Sequence, residues 1–319
     1  MRVQRLLRRH AALFGMPVLL IAALAFTVWI HPDFGPFDVQ SLALGALPLA
    51  MAAAAQAIVV LSGGIDLSIG SLIAVSNVLA ASTMQHADFP TSLLLALLIL
   101  VAGLVLGALN GLIVVFSRIP DVVVTLTTGF IWGGTALLIL EKPGGGAPPQ
   151  FIDLAAATTF SPWLPNALIL LVVAVAVIWI PLSRSRLGLL IYAVGSDRVA
   201  AFRSGVEVEK TRVLAYVFSG LFSAVGGLAL VMTTGIGAPL AGTYYTLSGL
   251  AAVVIGGVSL TGGRGGLIGP VIAAVLLTLI PTDLIFLNID PNYGQVIQGS
   301  LIVVVVMIGG FVTLLRSRP

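Results

Sequence analysis

A single acidic residue between two apolar runs is the side chain in this sequence best suited to chemistry. Asp66 follows Gly63 and Gly64, and a further apolar run begins immediately after it. An ionised carboxylate in such surroundings is costly, and it is usually functional or held by hydrogen bonds. Two interpretations are open: Asp66 caps the N-terminus of the next helix, or it lies at a broken helix beside a path through a membrane.

Other polar side chains interrupt the apolar runs and are candidates for the same path. Asn110 can form a hydrogen bond between helices, and a threonine can bond to a carbonyl one turn back, so each also has a purely structural interpretation. The candidate path residues are Gln56, Asp66, Ser68, Asn110, Thr125 and Thr127.

The side chains needed for other kinds of chemistry are missing from the sequence. There is no cysteine, and the three histidines are far apart, which argues against a metal site or a catalytic constellation. The only lysines are Lys142 and Lys210, and neither has the glycine spacing of a phosphate-binding P-loop. The apolar runs hold no Lys, Arg or Glu for a proton or sodium relay. We therefore expect no enzyme, no metal and no cofactor in this chain, and an energy source on another protein.

The composition identifies the class of protein. Hydrophobic residues make up 59% of the 319 residues and charged residues only 8%, against about 25% in an ordinary soluble domain. So few charges cannot cover the surface of a soluble globule of this size. A soluble enzyme, a secreted disulfide-rich protein and a nucleic-acid-binding protein are therefore excluded. The sequence predicts an all-α membrane protein with one transmembrane domain over 1–319.

Apolar runs give the predicted helices. A membrane-spanning helix needs about 20 mostly apolar residues, and ten runs qualify as candidate spans. Their approximate ranges are 12–30, 41–62, 67–84, 92–116, 121–140, 166–182, 213–233, 246–260, 267–287 and 295–313. Short glycine-rich breaks at 62–66 and 261–266 predict that some helices are short or broken. A stripe of small residues that lets another helix approach closely is formed by Gly103, Gly107 and Gly111.

The basic residues predict the orientation in the membrane. With the N-terminus in the cytoplasm and ten crossings, Lys142 alone of the 15 lysines and arginines lies outside, as the positive-inside rule requires. We expect both termini in the cytoplasm, a cytoplasmic segment over about 183–212, and the largest outer segment over about 141–166. The first run is longer than the core of a signal peptide, so we expect an uncleaved anchor, with cleavage as the alternative.

The cytoplasmic segment carries a short amphipathic pattern. Val199, Phe202 and Val206 share one helix face. Asp197 can cap the start of this helix, and Gly205 can end it. Such a helix lies on the membrane surface or docks on a cytoplasmic partner, and the residues alone favour neither interpretation.

Four motifs, in this order, carry a resemblance to a known family. They are Gly63 to Ser71, Gly107 to Gly111 with Arg118 to Pro120, Tyr192 to Asp197 with Ser204 to Val206, and Ala251 to Leu260 with Gly262 to Gly265. Through them the chain resembles, over about 45–310, the permease subunit of bacterial ATP-binding-cassette importers for monosaccharides of the ribose, xylose and galactose type. Asp121, Thr127 and Asp197 depart from the residues more usual in that family, which leaves the sugar open.

The resemblance implies a translocation path for a ribose-like monosaccharide in the bacterial inner membrane. It implies a second permease subunit, identical or paralogous, cytoplasmic ATPase subunits that bind the ATP, and a periplasmic binding protein that delivers the sugar. The residues implied to couple to the ATPase are Gly195, Asp197, Arg198, Val199, Ala200, Ala201, Phe202 and Gly205. The alternatives are a permease for an autoinducer-type sugar, a nucleoside or a branched-chain amino acid, and an ion-coupled secondary carrier.

Overall fold

The computed structural model describes residues 11–300 together with 303, 304 and 307. Its helices are α1 (Ala11–Ile30), α2 (Pro36–Leu61), α3 (Ile69–Met84), α4 (Phe89–Ser117), α5 (Asp121–Ile139), α6 (Pro149–Ala156), α7 (Asn166–Arg184), α8 (Arg186–Ser196), α9 (Arg198–Arg203), α10 (Val208–Thr234), α11 (Gly242–Ile255) and α12 (Ile268–Phe286). Residues 293–300 are also helical. Apart from two isolated β-bridges, this part of the chain is helical or irregular, which confirms the all-α class.

Nine of the ten predicted spans coincide with helices, namely α1 to α5, α7 and α10 to α12. Six of these helices are long and apolar enough to cross a membrane: α2, α4, α5, α7, α10 and α12. Of the others, α3 and α11 are shorter apolar helices beside the glycine-rich breaks, as predicted, and α1 is apolar from Gly15 to Ile30. Part of the predicted span 295–313 and both termini lie outside the described residues.

The segment predicted to lie in the cytoplasm differs in structure from the expectation. It contains α8, an apolar helix of 11 residues that the sequence analysis did not predict. Its buried residues include Ile191 and Val194, and the helix packs against α7, α2 and α10. The following span, α10, begins at Val208 rather than near 213. Most of the segment between α7 and α10 is therefore helical rather than loop.

Helices α2, α3 and α10 form the centre of the protein, and 12 of the 16 residues of α3 are buried. The most apolar window of α2 is 89% buried and that of α10 is 67% buried, whereas α4, α5 and α7 each stay below 30%. Helix α10 packs on α2, α3 and α4, and α2 also packs on α7, α11 and α12. The many alanines of α2, four of them consecutive at 52–55, let these neighbours approach closely. The peripheral helices thus surround a small-residue centre.

Turns predicted to share a side of the membrane contact one another. Beyond α5, the N–H of Gly144 donates to the carbonyl of Gly237 at 3.0 Å, and the reverse bond measures 2.8 Å. At the opposite end, the N–H of Gly263 donates to the carbonyl of Leu61 at 3.0 Å. The first pair belongs to predicted outer turns and the second to predicted inner turns. Turns that are predicted to lie on the same side of the membrane are therefore in contact with one another.

Candidate functional site

The break between α2 and α3 holds a buried carboxylate. Asp66 is 1% exposed. Its Oδ1 accepts hydrogen bonds from the N–H of Ser68 at 2.9 Å and from the hydroxyl of Ser68 at 2.5 Å, and its Oδ2 accepts one from Ser219 at 3.2 Å. The N-cap of α3 is Ser68, two residues later, so the interpretation of Asp66 as the helix cap is wrong. The carboxylate instead joins the break to α10.

A chain of hydrogen bonds runs from this carboxylate across to α5. Ser68 accepts from the amide nitrogen of Asn110 on α4 at 2.6 Å. The amide oxygen of Asn110 in turn accepts from the indole N–H of Trp132 on α5 at 2.9 Å. Because a buried polar group is costly unless it is hydrogen-bonded, this chain fixes the mutual positions of the break, α4 and α5.

Threonines on α5 support the same break. Thr125 accepts a hydrogen bond at 3.0 Å from the N–H of Leu67, and its own hydroxyl is 2.8 Å from the carbonyl of Asp121. Thr127 faces outward and bonds to the carbonyl of Val123, one turn back. Thr125 therefore contacts the break, whereas Thr127 lies on the opposite, exposed side of α5.

Gln56 stands apart from this network. It is 1% exposed on α2, and within the described part of the chain neither of its side-chain polar atoms has a hydrogen-bond partner. Five of the six predicted path residues are thus enclosed among packed helices, and Thr127 alone is exposed. Four of the five are hydrogen-bonded at the break.

An ion pair that the sequence did not reveal lies beside the break. One guanidinium nitrogen of Arg212 on α10 lies 2.7 Å from each carboxylate oxygen of Asp121 on α5. The two side chains are only 12% and 17% exposed, and the hydroxyl of Tyr216 is 3.4 Å from Asp121. In the sequence, the unusual Asp after Pro120 was a sign that this position is special. No local sequence pattern, however, identifies a partner 91 residues away.

The short helix α9 has the caps that the sequence predicts. The carboxylate of Asp197 accepts from the N–H groups of Val199 and Ala200, both at 2.9 Å. At the other end Gly205 has a φ of +81°, and the N–H of the next residue bonds to the carbonyl of Ala201 at 3.1 Å, as in a Schellman motif. These bonds fix a helix of only six residues.

The apolar face of α9 is exposed. Val199 is 59% exposed and Phe202 is 69% exposed, whereas Ala201 is 5% exposed and packs inward. Helix α9 lies at the end of the protein where the predicted inner turns meet. An apolar face with fixed geometry at this position is suited to docking on a partner.

Helix α9 is joined to the break after α2 by a glycine junction, defined as Gly63, Gly195 and Gly263 with Leu61. A Cβ on Gly195 would overlap the carbonyl oxygen of Leu61 and come within 2.7 Å of the nitrogen of Gly263. Arg198 donates to the carbonyl of Gly63 at 2.6 Å. Loss of solvent, followed by the nearby charge of Arg212, lowers the pKa of Arg198. These contacts join α9 to the backbone three residues before Asp66.

The predicted glycine stripe packs on α10. Cβ atoms on Gly103 and Gly107 would collide with Gly220, and one on Gly111 would lie 2.9 Å from the Cβ of Tyr216. The backbones of α4 and α10 are therefore in direct contact, and they hold Asn110 and Ser219 next to the break.

Comparison with known proteins identifies the family. The family model described as branched-chain amino acid transport system / permease component matches residues 39–306. The ribose import permease protein of Haemophilus influenzae is 31% identical, over 91% of this chain and 90% of its own. The autoinducer 2 import system permease protein of Photorhabdus temperata is 28% identical (98% and 94%), and the fructose import permease protein of Rhizobium meliloti is 29% identical (96% and 87%). No solved structure matches the chain. The chain therefore belongs to the family of branched-chain amino acid transport system permease components.

Proposed function

We propose that the chain is the permease subunit of an ATP-binding-cassette importer for a monosaccharide, in the bacterial inner membrane. Relatives named as ribose, fructose and autoinducer 2 import permeases, each aligned over at least 91% of the chain, support this substrate class. The chain itself performs no catalysis. It provides the path, and separate ATPase subunits drive transport.

The topology that fits this function has ten spans with both termini in the cytoplasm. The separation of predicted outer turns from predicted inner turns at opposite ends of the helices supports it. In this orientation α9 and the glycine junction face the cytoplasm. A second permease subunit, identical or paralogous, completes the path, and a periplasmic binding protein delivers the sugar to the outer end.

The observation that carries the coupling role is the exposed apolar face of α9. Its Val199 and Phe202 are free to enter a groove on the ATPase, while Asp197 and Gly205 hold the helix in shape. Arg198 links this helix to Gly63 and thus to the break that holds Asp66. ATP-driven movement of the ATPase subunits would be passed to the path by this route, as rigid-body rocking of the two permease subunits.

The buried polar residues at the break hold the path in place. Asp66, Ser68, Asn110 and Thr125 bond to one another or to the break backbone. We therefore assign them the role of positioning the helices around the path, and Gln56 remains a candidate path residue.

The test is purification from native membranes in mild detergent, with identification of the associated proteins. An ATPase subunit in equal stoichiometry supports the proposal. Uptake is then measured in proteoliposomes with ATP and the binding protein, with sugars and branched-chain amino acids as competing solutes. A chain that purifies alone and transports under a proton gradient refutes the proposal and makes Asp66 a coupling carboxylate.

A further inference from the structure

A polar cleft lies between α11 and the helical segment 293–300. Its volume is about 370 Å³, within the range of about 300–1,000 Å³ typical of small-molecule pockets. Five of its six lining side chains carry a hydroxyl or an amide; the six are Thr243, Tyr244, Leu247, Ser248, Gln295 and Gln298. This α11 cleft contains none of the path residues predicted from the sequence.

One buried amide organises the α11 cleft. Gln298 is 5% exposed. Its nitrogen donates to the hydroxyl of Tyr244 at 3.3 Å and to the carbonyl of Leu277 at 3.2 Å, and its oxygen accepts from Ser248 at 3.3 Å. Because the tyrosine hydroxyl accepts this bond, its own hydrogen is free to be donated towards a ligand. Gln298 thus fixes two hydroxyl groups on the wall of the cleft.

Two polar side chains of the cleft lining, Gln295 and Thr243, are exposed, and an amide facing hydrocarbon is unfavourable. Both lie in the first turns of their helices, at the end that the topology places outside. The cleft therefore lies at the end of the helices that the proposed topology places outside, the side from which a delivered solute arrives.

The chemistry of the lining defines the ligand. The lining side chains carry no formal charge, so they neither neutralise a carboxylate nor pair with an ammonium group. They offer several hydroxyl and amide groups next to an aromatic ring, which is the complement of a neutral polyhydroxylated molecule. A zwitterionic amino acid would leave two charges without partners in the same space.

We propose that the α11 cleft binds the incoming monosaccharide at the outer mouth of the path. In this site Tyr244 and Gln295 contact the sugar, and Gln298 is a positioning residue. The inference rests on the proposed import function and extends it by naming the site at which the permease receives its substrate.

Uptake by the complete importer tests this site. Tyr244→Phe and Gln295→Ala each remove one hydrogen-bonding group, and the expected result is an uptake rate about threefold to tenfold lower. The ATPase rate stimulated by the loaded binding protein is expected to stay at the wild-type level, which a folding defect would not allow. Tyr245→Phe is the matched control, because it removes the same hydroxyl from a neighbouring ring outside the cleft.

The outcomes separate the two proposals. The probes are D-ribose, D-fructose, D-xylose and D-galactose. If the wild-type importer transports one of them and both cleft variants match its rate, the cleft proposal is refuted and the import function stands. If the wild-type importer transports none of them, the monosaccharide function fails, and the cleft proposal fails with it.

A second measurement reports binding directly. The chain contains no cysteine, so a single introduced thiol reports one position. Gln295→Cys is expected to react with a membrane-impermeant maleimide added from outside, and the transported sugar in excess is expected to slow the reaction. Phe160→Cys, on the exposed outer segment, is the control that reacts equally with and without sugar. A Gln295→Cys thiol that does not react, or that the sugar does not protect, refutes the proposal.

Discussion

Replacing Gly195 by alanine tests how tightly helix α9 is joined to the break after α2. An added Cβ would overlap the carbonyl oxygen of Leu61 and lie 2.7 Å from the nitrogen of Gly263. Both neighbours are backbone atoms, so no side chain can rotate away. The backbones of two segments must separate, and the 3.0 Å hydrogen bond between Gly263 and Leu61 is lost.

The cost of Gly195→Ala follows from these contacts. Overpacking costs about 1–3 kcal/mol, and an unsatisfied buried donor costs about 1–3 kcal/mol. The better helix propensity of alanine offsets up to about 1 kcal/mol of this destabilisation. We therefore expect a net destabilisation of about 3 kcal/mol, which corresponds to a thermal midpoint lower by roughly 5–10 °C.

The assay is the fraction of monodisperse protein that remains after heating in detergent, measured by fluorescence size-exclusion chromatography. Gly134→Ala is the matched control, because it lies in helix α5 with no atom within 4 Å of the added Cβ. Its midpoint is expected to equal or slightly exceed that of the wild type. Equal midpoints for Gly195→Ala and Gly134→Ala would refute the tight packing of the junction.

Three further predictions follow from the site. The double variant Val199→Asp with Phe202→Asp changes only exposed positions, so it should insert and melt as the wild type but lose ATP-driven uptake; wild-type uptake would contradict the docking role of α9. Asp121→Asn and Arg212→Met should each lower stability by about 3 kcal/mol, because each leaves a poorly solvated charge unpaired, whereas the double variant should recover part of this loss; additive losses in a double-mutant cycle would contradict the ion pair. Asp66→Asn loses at least one serine hydrogen bond and should lower stability by about 1–3 kcal/mol; an unchanged thermal midpoint would show that the charge is dispensable.

Local patterns in the sequence predicted the helices and the ends of α9. Apolar length is sufficient to locate a helix such as α4, and Asp197 and Gly205 are capping residues with a known geometry. Helix α8 was missed because it is only 11 residues long and lies among arginines, so no rule for spans detects it.

Contacts between distant segments were not predictable from the sequence. Gly63, Gly195 and Gly263 each read as a local turn or helix end, and nothing in their surroundings shows that they meet. The pairing of Asp121 with Arg212 has the same cause, since periodicity gives the face of a helix but not its partner. The prediction that Asp66 caps α3 was wrong for a different reason. Asp66 and Ser68 are equally good capping residues, and only the backbone conformation decides between them.

The burial of α2 imposes an order on assembly in the membrane. This helix is synthesised second among the described helices, yet it packs on α7, α10, α11 and α12, which are synthesised later. Until these later helices have been inserted, α2 lacks most of the helices that bury it. Because its many alanines are apolar and small, the partly packed helix is stable in the lipid bilayer. A ribosome-bound chain that stops before Val208 would therefore hold an incomplete bundle, and such a chain is the form that membrane quality-control proteases are expected to degrade.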